Sequence, residues 1–280
     1  MKPSIYGILA AALITAGRLS AAPIVPTATP VEGFSDLADL TLGAPVILRA
    51  NLTKVERLSA KDAPDIAQGR ARLLIQATVQ AAIVAPTAIA PRVNYLWEVP
   101  TDARGKVPKL KGAAVLLFAR PVPGREDQLI PTGPSAQINA TPSAEATIRR
   151  IIAENREPAV RDLRITGVTS AFHVAGSIAG EAETQIFLAT ATQRPVSLVV
   201  LSRPGQPKSF TFATGDVIDE AAAVIPANTM LWYRLACTLP PTLPPGTARE
   251  LSTGDRAAAA TDYRFVINSL GPCGRTLKTS

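Results

Sequence analysis

The chain has 280 residues, enough to bury a sizeable core, with 29 Lys and Arg against 22 Asp and Glu for a formal charge of +7. This mild excess favours anionic surfaces in general, and aromatic residues at only 5% argue against a stacking platform for single-stranded nucleic acid. A single histidine, far in sequence from both cysteines, argues against a Cys/His metal centre, and no cofactor is expected.

Residues 1–22 read as a signal peptide. Lys2 supplies the positive start, and Ile5 to Ala16 is a nearly uninterrupted apolar run. A bilayer span needs roughly 20 apolar residues, so this run is too short. Ser20, Ala21 and Ala22 offer small residues for cleavage, while Arg18 interrupts the pattern and leaves retention as an anchor open. Loss of Lys2 and Arg18 with no acid lowers the charge from +7 to +5. The mature chain is expected in the periplasm or outside the cell, with no later membrane span. There the only two cysteines, Cys237 and Cys273, are expected to form a disulfide, which would stabilise the fold by roughly 4 kcal/mol.

Residues 23–35, rich in Pro, Ala and Thr, read as an extended leader. From Asp36 the pattern is strand-like. Val46 to Leu52 opens a long strand, Leu73 to Val79 a second and Val93 to Val99 a third. Pro100 to Gly112 is a polar loop, Val115 to Ala119 a fully apolar strand, and Pro121 to Gly124 turns the chain toward another strand near Leu129. Thr141-Pro142 predicts a helix start, with Thr at the cap and Pro in the first turn, and the helix should cover about 142–154. Five short strands and one helix suit an OB-like barrel over 36–158, with an open sheet covered by the helix as the competing arrangement.

A second unit, 159–280, reads as an antiparallel sheet followed by C-terminal helices. Its four strands are Arg164 to Val174, Glu183 to Thr190, Val196 to Ser202 and Lys208 to Ala213. Arg203-Pro204-Gly205 is a turn in which Pro presets φ and Gly permits φ > 0. Asn228 is a candidate cap for a helix over Thr229 to Leu239, although the alternation of Leu231, Tyr233 and Leu235 leaves a strand open. Asp255 is a candidate cap for a helix through Leu270, with Ala259, Tyr263, Val266, Ile267 and Leu270 as its buried stripe. The fold class is α+β, mostly β.

Lys109 to Gly124, Gly180 to Thr190, Leu231 to Pro240 and Leu270 to Cys273 together resemble a group of uncharacterised exported proteins of GC-rich Gram-negative bacteria. The resemblance implies residence outside the cytoplasm and carries no activity. Lys111-Gly112 before an apolar strand is similar to the same turn in netrin-like OB domains, whose N-terminal cysteines this chain lacks.

No Gly-x-Ser-x-Gly elbow occurs. His173, with Ser177 and Glu181 or Glu183 nearby, is the one base around which a hydrolase could be sketched; a strand histidine is more often packed or surface-exposed. Asp216, Asp219 and Glu220 lack the alternating spacing of a calcium loop. The most suggestive feature is the loop carrying Arg104, Lys106, Lys109 and Lys111, with Asp102 its only acid. Trp97, on the preceding strand, could stack a sugar ring or fill the core. The expected function is an exported, non-enzymatic binding or interaction protein of the cell envelope. Its expected partner is an anionic envelope component or a periplasmic protein, not nucleic acid. The alternative is an envelope hydrolase using His173 with Ser177 or Glu181.

Overall fold

Alternation along the first strand sets the architecture. In β1 (Val46–Arg57), Val46, Leu48, Ala50 and Leu52 face one way and Ile47 the other, and all five are buried. A strand buried on both faces must lie between two cores. The computed structural model, which describes residues 32–214 and 225–277, shows this arrangement. The expected signal peptide, the expected leader as far as Val31 and the cluster Asp216, Asp219 and Glu220 lie outside the described residues.

β1 pairs with β2 (Arg70–Val84) on one edge and with β4 (Ala114–Val122) on the other. β2 pairs with β3 (Arg92–Pro100), β3 with β5 (Arg125–Pro131), and β5 with β4. The order β1-β2-β3-β5-β4 returns to β1, a closed five-stranded barrel of OB type. Leu48, Leu52, Leu73, Ile75, Val93, Tyr95 and Leu117 fill its interior. A short β6 (Gln137–Asn139) adds to β4, so the first sheet has six strands where the sequence suggested five. The apolar run at 115–119 is explained by the same double burial as β1. Val115 and Leu117 face the barrel interior, and Leu116 and Phe118 face the helices.

Two helices cover that outer face. α1 (Phe34–Gly43) corrects the strand-like reading from Asp36 and cuts short the leader. Phe34, Leu37, Ala38 and Thr41 recur at helical spacing and are buried, and this face decides the element. α2 (Pro142–Arg156) starts as expected: Thr141 Oγ1 accepts from the Ala144 N–H at 3.2 Å, with Pro142 in the first turn. Ala144, Ile148 and Ile151 form its buried stripe. A further turn, α3 (Pro158–Arg161), leads into the second sheet.

That sheet is an antiparallel meander of β7 (Ile165–Ala175), β8 (Ala182–Thr190), β9 (Val196–Ser202) and β10 (Ser209–Thr214). α4 (Met230–Ala236) settles the helix-or-strand choice as helix. It is capped by Thr229 and not by Asn228, which sits at φ 60°. α5 (Thr253–Leu270) is capped by Ser252, whose Oγ accepts from the Asp255 N–H and donates to the Asp255 carboxylate, so Asp255 belongs to the first turn. Ala259, Asp262, Tyr263, Val266 and Leu270 face inward from α5. One buried cluster runs from Ile47 and Phe118 on the barrel, through Ile148 and Ile151 of α2, to Ile186 and Leu198 of the second sheet and Tyr263 of α5.

The C-terminal residues close a corner. Cys237, at the end of α4, is joined to Cys273, just beyond α5. The Asp36 carboxylate accepts from the N–H groups of Thr276 and Leu277 and from the Thr276 hydroxyl. Arg275 pairs with Asp39 at 2.6 Å, and the Tyr233 hydroxyl donates to the same carboxylate.

Candidate functional site

β3 and β5 pair at a single position, Asn94 with Gln128. The residues that follow on the two strands line a cleft of about 670 Å³. Trp97 shares the pleat of Val93, Tyr95 and Val99 and stands opposite Leu73. It is half-buried and packs against both cores, so it fills the barrel wall where β3 and β5 part. The cleft lining also takes in Leu96, Ile130 and Leu74, at 48%, 43% and 37% exposure, with Val122 and Pro131. Large apolar side chains gathered this way on an outer strand face form a candidate binding surface. The charged groups at the end of the cleft are already paired. Arg70 lies 3.6 Å from Glu98, and Arg72 bridges Glu98 and Asp65 at 2.6 and 2.8 Å. Beneath the cleft the Tyr95 hydroxyl donates to Gln137 Oε1 at 2.5 Å, and burial pushes its phenol well above the ordinary 10.

The basic loop begins three residues beyond Glu98. Its shape comes from Asp102, whose Oδ1 accepts from the N–H groups of Arg104 and Lys106 at 2.9 and 2.8 Å. Asp102 also exchanges backbone hydrogen bonds with Lys106 and Gly105, and Gly105 takes the positive φ that the turn requires. The loop's only acid thus bonds backbone amides and neutralises no side chain. Val107 and Leu110 anchor the loop on the barrel core, while Arg104, Lys106, Lys109 and Lys111 are all exposed. Among the described residues none of the four lies within ion-pair distance of a carboxylate. Arg57, at the end of β1, donates to the Gly105 carbonyl at 2.8 Å and joins them. Trp97 and the four cations are therefore neighbours along the chain, but the cations do not line the cleft.

His173 sits elsewhere. It lies on the face of the second sheet that α5 covers, with Nδ1 2.8 Å from Thr184 Oγ1. Thr184 donates to Asp262 Oδ2 at 2.5 Å, and Lys208 Nζ meets Asp262 Oδ1 at 2.5 Å. Because the threonine proton goes to the carboxylate, the histidine Nδ1 must be the donor to Thr184. Thr184 and Asp262 are buried, at 0% and 4% exposure, so no substrate reaches the hydroxyl. Ser177 and Glu181 line a different cleft, of about 520 Å³, together with Phe172, Val174, Glu183 and Gln185 on the opposite pleat of the sheet. Glu181 folds over Gly176, where even a methyl group would collide with it at 2.5 Å. The structure does not bring His173, Ser177 and Glu181 together as nucleophile, base and orienter.

Comparison of the chain with protein-family models and with curated proteins finds no match.

Arg57, Leu74, Leu96 and Ile130 escaped the sequence reading because strand alternation identifies two faces without saying which is covered. Asp262 left a usable signal: it stands three residues after Ala259 and one before Tyr263, an acid within an apolar helical stripe.

Proposed function

We propose that this is an exported, non-enzymatic binding protein of the cell envelope that engages anionic envelope material through the basic loop between β3 and β4. One observation carries the reading: four exposed cations on a loop whose shape is fixed and whose only acid is spent on backbone amides. A loop whose backbone is already fixed loses little backbone freedom when a ligand binds. Export is supported by the Lys2 and Ile5 to Ala16 pattern and by the cysteine pair, since disulfides persist in oxidising compartments. No described helix is long and apolar enough to cross a membrane. The resemblance to exported proteins of GC-rich Gram-negative bacteria points the same way.

The test is retention on vesicles containing phosphatidylglycerol and on isolated peptidoglycan, across a salt series. Binding should weaken steeply with salt, because exposed charges are screened within about 10 Å at 0.1 M. Lys106→Ala, Lys109→Ala and Lys111→Ala combined should abolish it. Equal retention of wild type and triple variant at low salt would overturn the proposal.

A further inference from the structure

The apolar cleft and the basic loop meet at one end of the barrel. Arg70, in the cleft lining, stands opposite Pro100 in the β2–β3 register. The Thr101 N–H, first in the loop, donates to the Gly69 carbonyl beside it at 2.8 Å. The loop then crosses the end of the barrel to Arg57, which holds the Gly105 carbonyl. Arg57 is opposite Leu73, and Leu73 is opposite Trp97, so the loop's tether and the cleft's tryptophan stand at the same level of the barrel, two strands apart, with the buried Leu73 between them. Neighbouring strands lie about 4.8 Å apart, which puts Arg57 and Trp97 roughly 10 Å from each other at the backbone.

We infer that this surface binds a single-chain anionic amphiphile. An alkyl or acyl chain lies over Trp97 between Leu96 and Ile130, and a phosphate or carboxylate head reaches the cations of the loop. The inference rests on the proposed anionic recognition and adds the apolar half of the ligand. The two halves of the surface call for different chemistry. The cleft offers apolar side chains and charges already paired with each other, so it gives a charged group little beyond what water gives. The loop offers cations that have no carboxylate partner among the described residues. A bare anion would leave Leu74, Leu96 and Ile130 exposed, and an uncharged chain would leave the cations without partners. A ligand with both parts satisfies both, and a cleft of about 670 Å³ is within the usual range for small-molecule sites.

The test is calorimetric titration of the whole mature protein with decyl and dodecyl phosphate below their micellar concentrations. Inorganic phosphate and uncharged dodecyl maltoside serve as the contrasting probes. Expected is one site per chain, with affinity gaining up to about fourfold per methylene and dodecyl phosphate preferred over dodecyl maltoside. Leu96→Asp combined with Ile130→Asp, both exposed positions, should abolish the chain-length dependence. The triple lysine variant should abolish the preference for phosphate. Inorganic phosphate binding as tightly as dodecyl phosphate would overturn the amphiphile and leave the anionic reading standing. Equal binding of dodecyl phosphate and dodecyl maltoside, unmoved by the lysine substitutions, would overturn both. Chain-length dependence that survives in the double aspartate variant would show the chain lodging elsewhere and would overturn the assignment of the cleft.

Discussion

Asp262 and Lys106 carry opposite charges in opposite circumstances. Asp262, beneath α5, is 4% exposed and has both oxygens engaged, one by Thr184 and one by Lys208. Lys106, on the barrel loop, is exposed and has no carboxylate within reach among the described residues. A buried charge persists in a fold only when it is paired, and removing its partner is expensive. An exposed lysine contributes almost nothing to folding. The polar cluster around His173, the residue on which the alternative hydrolase reading rested, is therefore part of what holds α5 on its sheet. The loop has no comparable structural reason to gather cations, and that makes it the better candidate for function.

The comparison can be broken by substitutions of graded effect. The largest should come from the disulfide beside α5. Cys237→Ala opens a link spanning 36 residues, and the chain-entropy model puts the loss at about 4 kcal/mol, readable as a lower midpoint in denaturant unfolding. In the native protein neither cysteine should react with a thiol dye before reduction, and stoichiometric labelling would contradict the link.

Next in size is Asp262→Ala, which strands the Thr184 hydroxyl and leaves Lys208 without its partner. About 3 kcal/mol is expected, at the low end for buried pairs because Lys208 keeps 33% of its side chain in solvent. A loss below about 0.5 kcal/mol, the scale of ordinary surface changes, would erase the contrast drawn between the two regions.

A smaller effect depends on pH. Burial raises the Asp36 carboxyl, but hydrogen bonds from the Thr276 hydroxyl and the Leu277 and Thr276 amides outweigh it and hold the group below its ordinary 3.8. A depressed carboxyl stabilises the fold fully above the unfolded value and loses that contribution as pH falls through the folded one. Stability of the wild type should therefore decline more steeply below about pH 4 than that of Asp36→Asn, measured by unfolding midpoints across the acid range. Parallel slopes would remove Asp36 from the account. The smallest effect on stability should be that of the triple lysine variant, within about 0.5 kcal/mol of wild type, although its binding is lost.

Much of the fold was legible because its elements are locally consistent. Thr141-Pro142, the Pro-Gly turn at 204–205 and the alternation in β1, β3 and β8 each specify one structure without help from distant residues. α1 was missed: Phe34, Leu37, Ala38 and Thr41 stand at helical spacing, but Leu40 and Leu42 also alternate, and packing against Phe118 and Trp232 shows which face is buried. The site divided in the same way. The loop cations lie together in the chain and could be read from it. The cleft needs β5 beside β3, Arg57 reaches Gly105 across 48 residues, and Asp262 reaches Thr184 across 78. Such contacts exist only once the topology does.

The corner at Asp36 also bears on the order in which the molecule can be assembled. α1 is the first described element, yet the groups that satisfy its buried carboxylate belong to Thr276 and Leu277. Ser35 likewise donates to the Cys273 carbonyl at 2.5 Å. A polypeptide emerging N-terminus first must keep this helix waiting while the barrel and the second sheet are made, since its last partners arrive more than two hundred residues later. The barrel strands can pair before Thr276 has been made, but α1 can be locked in place only after it. A chain truncated after Leu270 should therefore retain the barrel's exchange-protected amides and lose those of α1.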